Sequence, residues 1–166
     1  MFSDCSSLIS LNLNNFNAKS VRFMTGMFYG CSSLEYLNIS NFNTELTEDM
    51  SFMFYKLKSL KSLNISNFKV TKVELMHYMF EGCESLISLD LSMFHTSSLV
   101  NMREMFYMCT SLQSINLSNF DTSLVSSMYS TFFGCQALKE LADQDRRLLS
   151  PDRSLPGESG GVVLCR

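Results

Sequence analysis

Five of the six cysteines recur at one fixed interval: Cys5, Cys31, Cys83, Cys109 and Cys135 follow one another by a single period or, once, by twice that period. Thiols in such a series can bridge, hold a metal, or pack as small apolar groups. The place that interrupts the series decides among these uses. It holds Leu57, and leucine neither bridges nor ligates. The thiols are therefore expected in a core, with stacked disulfides as the alternative reading. Cys165 stands outside the series and is the expected exposed thiol.

The twelve methionines offer thioethers for soft metals. Ten of them occupy two equivalent places in the same interval, beside phenylalanine and at helical spacing, which marks them as packing. His77 and His95 stand at non-equivalent places without partner ligands and are expected on the surface. Gly157-Glu158-Ser159-Gly160-Gly161 sets a serine in a glycine-rich loop, but no histidine–aspartate pair has the context a nucleophile needs. No catalytic residue, cofactor or metal is expected, and the chain does not read as an enzyme.

What positions these residues is an internal repeat, and repeats outrank every other organisational signal. Copies start at Met1, Met27, Met53, Met79 and Met105, and a sixth starts at Thr131 and stops after Leu141. No insertion or deletion breaks the period of 26. Counting each copy from 1, position 2 is Phe from Phe2 to Phe132, position 8 is Leu from Leu8 to Leu138, and position 16 is Phe from Phe16 to Phe120. Nine positions (1, 2, 5, 8, 11, 13, 16, 21 and 24) are expected to face inward.

Within a copy the apolar period changes. Leu37-Asn38-Ile39-Ser40 alternates with period two and predicts a short strand. Val21, Met24, Met27, Phe28 and Cys31 trace one face of a helix of about eleven residues. Thr44, Thr96 and Thr122 are placed to cap it at the start, and Gly30, Gly82 and Gly134 at the end. One strand and one short helix per copy predicts an α/β fold: a leucine-rich-repeat solenoid with parallel β-strands on the concave face and short helices on the convex face.

Composition excludes some function classes. The net charge is −3, with nine basic and twelve acidic residues before Ala142, so no basic patch invites nucleic acid. The apolar runs are a few residues long, too short to span a membrane. Met1 is itself a repeat position, and no export signal precedes it, so the chain reads as a fragment or as an array begun internally. Two regions are expected: the array, 1–141, and a tail, 142–166. The tail holds both prolines and is read as mostly disordered, or as a short helix around Leu138–Leu149.

The run Met27-Phe28-x-Gly30-Cys31-x-Ser33-Leu34-x-x-Leu37-Asn38-Ile39-Ser40-Asn41-Phe42-Asn43-Thr44, followed by Met50, resembles the repeat of the same period in bacterial surface proteins, the BspA-like leucine-rich repeat family of Mycoplasma and Listeria lipoproteins. The resemblance covers the whole array, 1–141. It implies a surface-exposed or secreted, non-catalytic array, often used in adhesion, whose partner is a protein or a glycan.

Strand positions 10, 12 and 14 point away from the core and line the concave face. They are small and polar, from Ser10, Asn12 and Asn14 to Ser114, Asn116 and Ser118. Concave faces of solenoids bind ligands, and a ladder of like residues also stabilises a stack. Tyr36 and Asp90 break the uniformity, so Tyr36, Asn38, Asn64, Asp90 and Asn116 are the candidate contacts. Asn15, Asn41, Asn67 and Asn119, at position 15, are expected to satisfy backbone groups in the turn after the strand. Asn38, Asn64 and Asn116 also begin Asn-x-Ser glycosylation patterns, which recur because the repeat recurs.

Overall fold

The computed structural model describes residues 1–139. The chain winds into stacked coils, one per repeat. Four three-residue strands are present: β1 (Ser10–Asn12), β2 (Tyr36–Asn38), β3 (Ser88–Asp90) and β4 (Ser114–Asn116). β1 pairs with β2 and β3 with β4, both parallel, with Leu11 opposite Leu37 and Leu89 opposite Ile115. Partners stand one full repeat apart, so equivalent positions sit above one another. The equivalent Ser62-Leu63-Asn64 forms no strand, and Leu63 is only partly buried.

The expected convex helices are absent among the described residues. The apolar spacing of Val21, Met24, Met27, Phe28 and Cys31 arises from successive tight turns. Alternate backbone N–H groups leave the coil: Met24 N–H donates to Asp49 O at 2.9 Å, Gly26 to Ser51 O at 2.9 Å, Phe28 to Met53 O at 3.0 Å and Gly30 to Tyr55 O at 2.9 Å. The N–H groups between them close turns, from Met27 to Met24 O, Tyr29 to Gly26 O and Cys31 to Phe28 O. Isolated parallel bridges join Phe23, Asp49, Leu75, Asn101 and Ser127 in series. Geometry explains the correction. In-register strands stack at about 4.8 Å, whereas an α-helix is about 10 Å wide, so helices cannot follow that spacing on a side bonded coil to coil.

The glycines expected as helix caps do adopt left-handed backbone, with φ of 70° at Gly30, 69° at Gly82 and 79° at Gly134. They stand third in four-residue turns, where that conformation is required. Asp4, Lys56 and Met108 fill the same place with φ of 56–58°. Gly26, Phe52, Tyr78, Glu104 and Ser130 repeat it four residues earlier, with φ between 52° and 59°.

Two of the three expected threonine caps, Thr44 and Thr96, are coil-to-coil clamps instead. Thr44 and Thr96 are buried. The Thr96 hydroxyl donates to Asp121 O at 3.0 Å and accepts from Asp121 N–H at 2.8 Å; Thr44 does the same with Lys69.

The core is one continuous seam. Phe28, Phe54, Phe80, Phe106 and Phe132 stack with centroids 5.2–5.8 Å apart and planes within 13° of parallel, and Phe2 extends the column. Phe16, Phe42, Phe68, Phe94 and Phe120 form a second column. Met50, Met53, Met76, Met79, Met102 and Met105 are fully buried in the same core. The five cysteines among the described residues are free, and Cys31, Cys83, Cys109 and Cys135 are buried with Leu57, as expected. Their thiols donate to the carbonyls of Phe2, Phe54, Phe80 and Phe106. Cys5, on the first coil, is exposed. The tail expectations, including Cys165, Ser159 and most of the Leu138–Leu149 segment, lie outside the described residues.

The candidate binding face

The strand face carries the five candidate contacts. Each strand is held on one side by its buried middle residue, Leu37 in β2, Leu89 in β3 and Ile115 in β4. The flanking residues then turn to solvent. Tyr36 is 55% exposed. Asn38 is half-buried, and Asn64, Asp90 and Asn116 are exposed. Asp90 lies opposite Asn116, and Asn38 opposite Asn12. Asn64 lies between these pairs on the coil without a strand.

Each position-12 side chain is also a turn cap. Asn38 Oδ1 accepts from Ser40 N–H at 3.2 Å and Ser40 Oγ–H at 2.9 Å. Asn64 Oδ1 accepts from Ser66 N–H and Oγ–H, and Asn116 Oδ1 from Ser118 N–H. Asp90 Oδ1 accepts from Ser92 N–H at 2.9 Å. That backbone bond, followed by one from the Ser92 hydroxyl, holds the Asp90 carboxyl below the usual aspartate range. These residues therefore end the strand with one oxygen while facing solvent. The asparagines of position 15 satisfy the backbone as expected: Asn41 Nδ2–H donates to Asn14 O at 3.1 Å, Asn67 to Ser40 O at 2.5 Å, and Asn119 to Ser92 O. Met93 replaces asparagine in this column and is 57% exposed.

Beside Met93 an open groove of about 720 Å³ runs along Ser66, Asn67, Lys69, Thr71 and His95. Lys69 Nζ reaches Glu45 Oε1 at 2.6 Å across it. His95 is exposed, and its Nδ1 contacts Met93 O at 3.1 Å. His77 differs from the surface position expected of it. It is half-buried, with Nδ1 2.9 Å from Ser51 Oγ and its ring edge-on to Phe52. Burial lowers its pKa, Arg103 adds to that, and Asp49 partly opposes it.

A set of large aromatic side chains lies on the turn face, at positions the sequence reading passed over. Tyr29, Phe52, Tyr55, Tyr78, Tyr107 and Phe133 form short stacks there. Tyrosine at position 3 of three copies was the available signal, diluted by Ser3, Glu81 and Phe133 in the others. Among the described residues no group of three or more His, Cys, Asp or Glu could hold a metal ion. No helix among them is long and apolar enough to cross a membrane.

The family model described as "Mycoplasma protein of unknown function, DUF285" matches residues 1–88 and 84–145. Among solved structures the chain is similar to the T. pallidum leucine rich repeat protein TpLRR, with a TM-score of 0.51 and 18% identity over 99% of this chain and 77% of that one. At that identity the likeness speaks to the fold, a leucine-rich-repeat solenoid. No curated protein matches the chain.

Proposed function

This chain belongs to the DUF285 family, whose repeat is of the BspA-like leucine-rich kind, and from that premise we propose that it is a non-catalytic binding module that engages a protein or glycan through its strand face. The observation that carries the reading is the solvent-facing row of Tyr36, Asn38, Asn64, Asp90 and Asn116 on a backbone fixed coil to coil. Rigid arrays recognise partners at low ordering cost, because little conformational freedom is lost on binding. Tyr36 supplies the large amphipathic contact and Asp90 the charge. The family resemblance adds an adhesive role at the cell surface or in secretion.

The experiment is a binding screen of the full chain against extracellular matrix proteins and a glycan array, repeated with Tyr36→Ala and Asp90→Ala. A ligand whose affinity falls at least tenfold in either variant supports the reading. Ligands indifferent to both substitutions, or no ligand at all, count against it.

A second reading is a structural scaffold segment of a longer repeat protein. It is favoured by the capping oxygens of Asn38, Asn64 and Asn116, which serve the chain's own backbone. Under it, Asn64→Ala lowers the unfolding midpoint and leaves every binding assay unchanged.

A further inference from the structure

One aromatic column on the turn face is interrupted. Position 3 reads Tyr29, Tyr55, Glu81, Tyr107, Phe133. Tyr29 stacks on Tyr55 with centroids 4.5 Å apart, and Tyr107 on Phe133 with centroids 5.2 Å apart. Glu81 stands on the coil between the two pairs. Tyr55 and Tyr107 are two coils apart, about 10 Å at the spacing of paired strands. A group midway is then about 5 Å from each ring, within the ~6 Å over which a cation is attracted to an aromatic face.

The column beside it closes one side. Phe52 stacks on Tyr78 at 4.7 Å and meets Tyr55 edge-on at 5.6 Å. Glu81 N–H donates to Tyr78 O at 3.3 Å, so Tyr78 and Glu81 share one turn. The Tyr78 hydroxyl donates to Glu104 Oε1 at 3.5 Å, which brings a second carboxylate near. Tyr55, Tyr78, Glu81 and Tyr107 are each half-buried, reachable by solvent but partly shielded from it. Burial, then the Glu104 charge, holds the Glu81 carboxyl above the usual range, while Lys56 and Tyr55 pull it back. Two carboxylates thus stand close to one another beside the Tyr55 and Tyr78 rings.

An ammonium group is already present. Lys56 Nζ lies 4.8 Å from the centroid of the Tyr55 ring. Arg103 is committed to Glu104 at 2.9 Å and lies over Tyr78 and Tyr129. With Lys56 in place the four charged groups sum to zero; with it withdrawn they sum to −1. Lys56 is exposed and can swing out.

We propose that this slot binds an alkylammonium group, held between Tyr55 and Tyr107, beside Tyr78 and over the Glu81 carboxylate, with Lys56 as its built-in competitor. The site is separate from the strand face, and neither reading depends on the other.

The test is a titration of the full chain with tetramethylammonium chloride at constant ionic strength, followed through the tyrosine ring proton signals. Saturable shifts of Tyr55, Tyr78 and Tyr107 are expected, and tert-butanol, a neutral group of similar shape, leaves them in place. Lys56→Ala removes the competitor and tightens binding about threefold, and the isosteric Glu81→Gln weakens it by at least about as much. Phosphocholine and trimethyllysine then separate a lipid headgroup from a protein side chain as the source, since the tighter of the two names it. Linear, unsaturable shifts overturn the proposal. So do equal shifts with tert-butanol, or an affinity unmoved by both Lys56→Ala and Glu81→Gln.

Discussion

Phe80→Ala removes the middle ring of the main core column. The ring is fully buried, 5.3 Å from Phe54 on one side and 5.4 Å from Phe106 on the other, nearly parallel to both. Burial and the cavity left behind account for about 3–5 kcal/mol in such truncations, and each lost ring pair for part of a further ~0.5–1.5 kcal/mol. The expected cost is therefore about 4 kcal/mol. Phe2→Ala is the internal control. Phe2 is half-buried and stacks on Phe28 alone, at 5.8 Å, so it should cost about 1.5 kcal/mol. Position in the stack also sets the shape of the transition. Coils contact only their neighbours, so a defect at the fourth coil uncouples the two halves. Urea unfolding followed by circular dichroism should give a lower midpoint and a shallower transition for Phe80→Ala, and a lower midpoint with unchanged slope for Phe2→Ala. If Phe2→Ala costs as much as Phe80→Ala, the column is not the seam that holds the coils, and the reasoning fails.

Thiol accessibility should follow the stack: in a Cys165→Ser variant one thiol, Cys5, reacts promptly with an aromatic disulfide reagent. Cys31, Cys83, Cys109 and Cys135 should react only on unfolding, since burial pushes the Cys83 thiol up to about 12 and raises the Cys31 and Cys109 thiols as well. Gly26→Ala should cost about 1 kcal/mol through backbone conformation alone, because φ is 59° and the added Cβ meets nothing nearer than 3.6 Å. Ser130→Gly, at the equivalent place with φ 52°, should raise the melting temperature by a few degrees; a fall would refute the strain argument. His77 has a folded pKa below its unfolded value near 6.5, so the folded state prefers the neutral ring. Its contribution is present above that value and lost as pH falls through the lower folded one. Between pH 7.5 and 5 the wild type should therefore lose more stability than His77→Gln, measured by the difference in urea midpoints.

The repeat, its inward positions and the parallel strands were legible because they rest on identities that recur at one spacing. Phe28 and Phe54 need no partner information to be read as core. The helix was misread because the partner of the Gly26 N–H is Ser51 O, one coil away, and no local pattern distinguishes that bond from an intrahelical one. A run of tight turns and a helical face give the same apolar intervals over so short a stretch. Thr44 and Thr96 were misread for the same reason: their hydroxyl partners, Lys69 O and Asp121 O, lie on the next coil. On the strand face, exposure was legible from alternation, but the double duty of Asn38 and Asn64 was not, since it depends on how the chain turns at Ser40 and Ser66. The interrupted tyrosine column becomes visible only when coils are laid over one another. Its periodic signal, tyrosine at position 3, is diluted by Ser3, Glu81 and Phe133.

Backbone bonding on both sides of the coil has a consequence for how such a chain changes over time. Each unit adds one increment, about 4.8 Å, to the stack. Duplicating or deleting one whole unit lengthens or shortens the rod by one graduation and leaves every surviving contact in register. The length of such an array is thus free to vary by unequal recombination while its core and its backbone bonding repeat unaltered.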